Sequence, residues 1–440
     1  MIRICYVGGC GRLGYPMAVW TAWKGLPTIV ADANAVAVQQ IQQGAFYSPE
    51  PDVDRLAQEI RDDPHSRSLE ATTNTGSAVR RSDIIFVLVQ TPSLPDDSFS
   101  IKHVLAACRD IGQVLAGERD YKVVAVSSTV MPGHVNGPIR DCLEAASGKV
   151  AHRDFGLVYC PEFIRQGNII HDFSHPDLIL IGHENGAEVV AMWDYYRAII
   201  DWTTLGYDPV HEVTIESAEI AKIGLNTAIV AKIARANELA LLCHYTPGAD
   251  AAQVTRAIGT DPRIGRACSD PGTPPGGPCF PRDNKALVAA MRERGLTAHV
   301  ASAVVEFEQY QIEHLAVLAA GFADAGECVG LLGVAYKPGV NLAVGSQSML
   351  LARAIFTRRP DLRILAYDPG VVPTEEYVEY AATLEELVAA ADVLVLMTCW
   401  PDFKQVEKMD LTGKRILDVW GFLDRAKLHG CEYVRFGEGR

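Results

Sequence analysis

The chain has 440 residues, of which 48% are apolar and 21% charged, enough for two or three cores and ordinary for a folded globular protein. A formal net charge of −14 argues against nucleic acid or an anionic membrane as the main partner, although an acidic chain can still hold a local basic pocket. Eleven irregularly spaced cysteines without Cys-x-x-Cys argue against a disulfide scaffold or a zinc site, and with no long apolar window the expectation is a cytoplasmic protein without a metal.

The amino terminus, MIRICYVGGCGRLG, reads as a strand, Ile2–Val7, and not as a signal peptide. Gly9-x-Gly11-x-x-Gly14 follows directly, with Arg12 and Leu13 inside it, and a helix-like run comes next. In a βα turn of this kind the first glycine permits the tight bend. The second lets backbone approach a pyrophosphate, and the third lets helix pack on strand. The bare pattern is weak, with roughly one chance match in four chains of this composition. Here the next strand, Thr28–Ala31, ends at Asp32, whose carboxylate would bind ribose hydroxyls and repel a 2′-phosphate. These residues point to NAD in preference to NADP.

Further strands are expected at Asp83–Val89, Val123–Ser127, Gly156–Tyr159 and Leu178–Ile181, the rhythm of a parallel sheet built from βαβ units. Ser128-Thr129 and Pro161-Glu162-Phe163 follow two of them, at the ends where α/β sheets build their sites; an ordinary loop is the alternative for each alone. From Glu212 to Leu242 the pattern is one long helix. Lys222 and Asn226 lie four apart on one of its faces, either as a polar pair for a ligand or as a solvated surface. Pro271–Asp283, PGTPPGGPCFPRD, is too rich in proline and glycine for regular structure and reads as a rigid loop carrying Cys279. A lone cysteine is usually inert and buried, whereas a thiolate in a loop near a cation or helix end is a nucleophile. A second long helix covers Ala298–Ala325. Strands then return at Val329–Ala335, Arg363–Tyr367, Val393–Met397 and Arg415–Val419. The fold class is therefore α/β: two Rossmann-like domains, residues 1–200 and 321–440, joined by a central helical domain, residues 201–320, with a long helix.

Taken in order, Thr91-Pro92, SSTVMPG (Ser127–Gly133), PEFIRQG (Pro161–Gly167), SAEIAKIGLNTAIVAKIARANEL (Ser217–Leu239), GGPCFPRD (Gly276–Asp283), GVAYKPG (Gly333–Gly339), YDP (Tyr367–Pro369) and TCWPDF (Thr398–Phe403) resemble the motifs of the nucleotide-sugar (UDP-glucose/GDP-mannose) dehydrogenases over nearly the whole chain. That resemblance implies NAD-dependent oxidation of a primary alcohol of a nucleotide sugar to a carboxylate, in two hydride-transfer steps. It implies a homodimer through the central helices, while the net charge already speaks against a nucleic acid or membrane partner. It implies NAD at Gly9, Gly11, Arg12, Leu13, Gly14, Asp32, Thr91, Pro92 and Thr129. Substrate would lie at Glu162, Phe163, Arg165, Gln166, Lys222, Asn226, Gly276 and Lys337. The implied catalytic roles are a water held by Thr129 and Glu162, oxyanion donors Lys222 and Asn226, the nucleophile Cys279, and Asp283 in support. Three readings fit these residues: this four-electron oxidation, a two-electron dehydrogenase that stops at aldehyde or ketone, and a catalytically silent dinucleotide-binding protein. Retention of Cys279, Lys222, Asn226 and Asp283 counts against the last.

The chain departs from the family pattern in places. Gln166 stands where a glutamate is usual, Arg282 replaces a lysine, and Pro278 precedes the cysteine. Asn341–Ser346 lacks both carboxylates and the arginine of the family's DDxRxS, with Val344 at the arginine, and Trp420 replaces an arginine after Asp418. Val344 cannot hydrogen-bond through its side chain, and Trp420 offers a flat surface for stacking. A pocket remodelled for a different nucleotide, or for a less charged nucleoside-like alcohol, is expected.

Overall fold

Short β-branched runs bounded by Gly, Asp and Pro form strands in a computed structural model of the chain, which describes residues 2–373 and 375–439. The chain divides into two units, Met1–Ile223 and Gly224–Arg440. In the first, the strands are β1 (Ile4–Val7), β2 (Thr28–Ala31), β3 (Leu69–Thr72), β4 (Ile84–Val87), β5 (Val123–Val126), β6 (Gly156–Tyr159), β7 (Ile179–Gly182) and β8 (Val210–Val213). They form one sheet in the order β3-β2-β1-β4-β5-β6-β7-β8. Every pairing is parallel except β6 with β7. Alternate residues feed two cores. Tyr6, Phe86, Ala125 and Val158 go to one face, and Cys5, Ile85, Val124 and Leu157 to the other. Burial on both faces is why these strands read as unbroken apolar runs.

The second unit repeats the plan with β9 (Cys328–Leu332), β10 (Arg363–Tyr367), β11 (Glu379–Tyr380), β12 (Val393–Leu396), β13 (Arg415–Asp418) and β14 (Glu432–Arg435). Its order is β11-β10-β9-β12-β13-β14, parallel throughout. This matches the first six strands of the other sheet position for position, the doubly wound dinucleotide-binding order. β9 stops at Leu332, short of the expected Ala335, because Gly333 turns the chain with φ +102°.

Helices Phe280–Glu293, His299–Phe322 and Gln347–Arg358 belong to the second unit, and the long helix Ile215–His244 begins in the first and runs on into it. Two expectations are corrected. The long helix starts at Ile215, not Glu212, since Glu212 and Val213 end the edge strand β8. The proline loop stops at Cys279, because Pro281 fits the first turn of a helix, where its fixed φ is helical and its missing N–H is not needed. Among the described residues, no helix is long and apolar enough to cross a membrane.

Candidate active site

The first glycine loop is shaped by what would collide with a side chain. A Cβ on Gly9 would lie 2.8 Å from the Tyr6 carbonyl oxygen, and one on Gly14 would lie 2.8 Å from the Gly9 Cα. Gly11 is different, since its nearest neighbour would be 3.5 Å away, so the fold itself does not forbid a methyl there. A bare backbone at Gly11 suits close approach by a ligand instead. At the start of helix Gly14–Trp23, the usual seat of a pyrophosphate, the Tyr15 N–H is spent on the Gly11 carbonyl and Pro16 has none, so among the described residues it is the N–H groups of Leu13 and Gly14 that face a ligand. Arg12 and Leu13 stand at that entrance; Leu13 is the N-cap residue and Arg12 is exposed. Asp32 is half-buried and aimed by the backbone N–H groups of Cys10 and Asn34, each donating over 2.9 Å. Thr91 Oγ1 donates to the Thr129 carbonyl over 2.8 Å, tying together the loops after β4 and β5, with Pro92 exposed beside it. The residues present fit a dinucleotide.

Glu162 follows β6. Its Oε1 is shielded from solvent and has no hydrogen-bond partner among the described residues, and burial pushes the carboxyl up to about 8 while Lys222 pulls the other way. Lys222 is 9% exposed. Its ammonium donates to the Glu162 carbonyl over 2.6 Å and sits 4.6 Å above the Phe163 ring. The solvated-surface alternative for this helix face is thereby excluded. Arg165 is committed to Asp172, which accepts from its guanidinium over 2.6 and 2.9 Å and from its backbone N–H. Gly167 donates to Glu50 over 2.7 Å, so the loop holding half-buried Gln166 is pinned at both ends. One turn before Lys222, fully buried Glu219 accepts from the N–H groups of Gly133 and Val135, and burial raises its carboxyl to about 7. Its i,i+3 spacing from Lys222 was the available sign that it shares that face.

Within the second unit, Asn226 donates to Asp283 over 2.6 Å, and Arg282 lies 3.5 Å from the other oxygen of the same carboxylate. Asp283 is 1% exposed. Cys279 is exposed and occupies the N-cap position of helix Phe280–Glu293, where the helix dipole favours a negative partner. Prolines deprive the loop before it of N–H donors, and its carbonyls are satisfied by buried carboxamides. Gln311 donates to Gly272 over 2.7 Å, Gln347 to Pro275 over 2.9 Å and Asn237 to Thr273 over 3.3 Å, while Asn237 also accepts from Gly272 N–H. Gly276 and Gly277 make room for Tyr336, whose atoms would lie within 3.0 Å of a Cβ at either position. Lys337 reaches 5.9 Å above that same Tyr336 ring.

Val344 is 55% exposed in the loop before helix Gln347–Arg358. Trp420 packs its ring on Gly272, where a Cβ would come within 2.3 Å, and its Nε1 donates to the Met397 carbonyl over 2.9 Å. Its N–H is therefore spent inside the protein and part of the expected stacking surface is taken up by Gly272. The structure thus groups Thr91 with Thr129, Lys222 with Glu162 and Phe163, Asn226 with Asp283 and Arg282, and Gly276 with Tyr336 and Lys337. The first two groups lie in one unit and the last two in the other.

Models of the UDP-glucose/GDP-mannose dehydrogenase family match the chain in three consecutive stretches. The NAD binding domain matches residues 2–200, the central domain 216–310 and the UDP binding domain 330–425. The chain is 30% identical over 424 residues to the UDP-glucose 6-dehydrogenase AglM of Haloferax volcanii, covering 93% of this chain and 96% of that one. It is 28% identical over 432 residues to a GDP-mannose 6-dehydrogenase of Pseudomonas aeruginosa, covering 94% and 96%. Among solved structures, a UDP-glucose dehydrogenase from the archaeon Pyrobaculum islandicum superposes with a TM-score of 0.88 at 28% identity, covering 100% of this chain and 98% of that one.

Proposed function

The chain belongs to the UDP-glucose/GDP-mannose dehydrogenase family of NAD-dependent dehydrogenases acting on CH–OH groups, and on that footing we propose that it oxidises a primary alcohol of a nucleotide sugar to the carboxylate in two steps. NAD⁺, when bound at the Gly9–Gly14 turn and Asp32, supplies the two-electron acceptor for each oxidation. Glu162, with Thr129, holds the water that receives the alcohol proton. Lys222 and Asn226 donate to the oxygen as charge develops on it, which is the largest stabilising contribution expected at such a centre. Cys279 Sγ adds to the aldehyde carbon to give a thiohemiacetal. Its oxidation leaves a thioester, and water cleaves the C–S bond to release the acid and the thiol. Asp283 orients Asn226. The observations that support this reading are Lys222 fixed on Glu162 and Phe163 in the first unit and, in the second, Asn226 fixed on Asp283 in the first turn of the helix that Cys279 caps.

We further propose that the nucleotide is unusual. No arginine stands at Val344 or Trp420, and the Trp420 N–H is already used. Each missing charge-assisted bond to a diphosphate costs about ten- to a hundredfold in affinity. UDP-glucose is thus expected to be a poor substrate. The enzyme acts in the cytoplasm as a homodimer through its central helices, a face supported by the exposed side chains of Leu242, Tyr310 and Val317. Assay of a panel of nucleotide sugars and nucleosides for NADH formation tests the reading. Turnover of one or more with weak activity on UDP-glucose is expected; kcat/KM for UDP-glucose of about 10⁴ M⁻¹s⁻¹ or above would contradict the substrate proposal.

A further inference from the structure

Helices Phe280–Glu293, His299–Phe322 and Gln347–Arg358, all of the second unit, enclose a groove of about 750 Å³. Residues one helical turn apart line it from two sides, with Ile312 and Leu350 supplying apolar surface and Lys285 closing the end near Pro281. Its charges are unevenly used. Glu313 and Arg358 neutralise each other in an ion pair at 2.6 Å. The Lys285 ammonium and the Arg353 guanidinium make no hydrogen bond or ion pair among the described residues, and both are exposed at the groove. Glu308 has its Oε1 cut off from solvent and, among the described residues, without a hydrogen-bond partner. Burial pushes that carboxyl up to about 7, with Lys285 opposing. At neutrality about half of such carboxyls keep their proton, and in that form the group is a donor and not a repelling charge. In a chain of net charge −14, the groove is a local excess of unpaired cation beside an apolar wall.

We propose that this groove is a second ligand site, which takes a small organic anion. The carboxylate or phosphate of that ligand faces Lys285 and Arg353, and its apolar body lies along Ile312 and Leu350. Gln347 gives the site a consequence. It lines the groove and at the same time donates to the Pro275 carbonyl, so an occupant acts directly on a clamp of the Cys279 loop. Glu308 makes the affinity pH-dependent. Below about 7 it is protonated and can donate to the anion. Above that it adds a negative charge, facing Lys285, Glu313, Arg353 and Arg358, and the anion binds about fourfold more weakly, the effect of one further charge in a well-hydrated setting.

Calorimetric titration of the full chain saturated with NAD⁺, using phenyl phosphate and, separately, benzoate as probes, tests this. Saturable binding of at least one probe is expected, and comparison of the two tells which anionic group is preferred. Affinity for benzoate, whose charge is the same at both pH values, should fall about fourfold from pH 6 to pH 8, and Glu308→Gln should abolish that fall while retaining binding. The double variant K285Q/R353Q should bind at least about tenfold more weakly with NAD⁺ affinity unchanged. Lys337→Gln, in the other loop, should leave the probes unaffected. Any of three results would overturn the proposal: no saturable binding of either probe, equal binding by K285Q/R353Q, or loss confined to Lys337→Gln. A K285Q/R353Q variant that changes sedimentation but not probe binding would also overturn it, assigning the groove to a contact between two copies of the chain.

Discussion

The two sheets place an aspartate at the same point of the same topology, yet use it in opposite ways. Asp32 follows β2 and Asp368 follows β10, each strand lying next to the first strand of its sheet. Asp368 is 1% exposed. It accepts from the backbone N–H groups of Val334, Ala335, Gly370 and Val371 and from Trp400 Nε1, all within 2.7–3.0 Å. Among the described residues, half-buried Asp32 accepts from two backbone N–H groups and from the Cys10 thiol. A carboxylate has about four acceptor positions, so Asp368 is consumed in holding its loops while Asp32 has capacity left for a ribose. A shared position in the fold does not make a ligand site. Unspent hydrogen-bonding capacity does.

Removing each acid should separate the two roles. Asp368→Ala strands four backbone donors and is expected to destabilise the second unit by about 4 kcal/mol or more, seen in the urea midpoint. Asp32→Ala should cost under about 1 kcal/mol in stability but weaken NAD⁺ about ten- to a hundredfold and narrow its margin over NADP⁺. If Asp32→Ala unfolds as readily as Asp368→Ala, the comparison fails.

Glu162 extends the same criterion, because its buried Oε1 is unspent. Burial raises this carboxyl to about 8, so the protonated form prevails at neutrality and the base form appears above. The oxidation rate should climb as pH passes through about 8. Glu162→Gln should slow it about a hundredfold and remove that inflection. A rate profile left unchanged by the substitution would take Glu162 out of the proton path.

The smallest effect sharpens the glycine turn. Gly14→Ala forces a Cβ to 2.8 Å from backbone and should cost about 1–3 kcal/mol of stability. Gly11→Ala, with 3.5 Å of room, should leave stability nearly intact and still weaken NAD⁺ about tenfold. Equal loss of stability in both would mean that Gly11 serves packing and not the cofactor.

Much of this was legible in the residues. β1, β2, β4, β5, β6 and β12 are buried along their whole length, so their apolar runs announce them. β3, β8, β11 and β14 did not announce themselves: LEAT, VHEV, EY and EYVR sit at or near sheet edges, partly exposed, and carry too few apolar side chains. At the site, the glycine turn, Asp32, Lys222, Asn226 and Cys279 are local patterns and could be read. Their supports could not, because they come from far along the chain. Glu50 reaches Gly167, Gln311 reaches Gly272, and Gln347 reaches Pro275, each a neutral or acidic residue with no local signature. Trp420 shows the same limit: its sequence suggests an open aromatic face, and only the packing on Gly272 shows how much of it is spent.

The central claim is that Cys279 carries the second oxidation. Counting NADH released per molecule of a nucleotide sugar that the enzyme turns over, in the native chain and in Cys279→Ser, tests it most directly. Two NADH and one carboxylate are expected from the native chain, with the variant binding NAD⁺ normally but forming no acid. Acid formed by Cys279→Ser at the native rate, with two NADH for each molecule, would contradict the account.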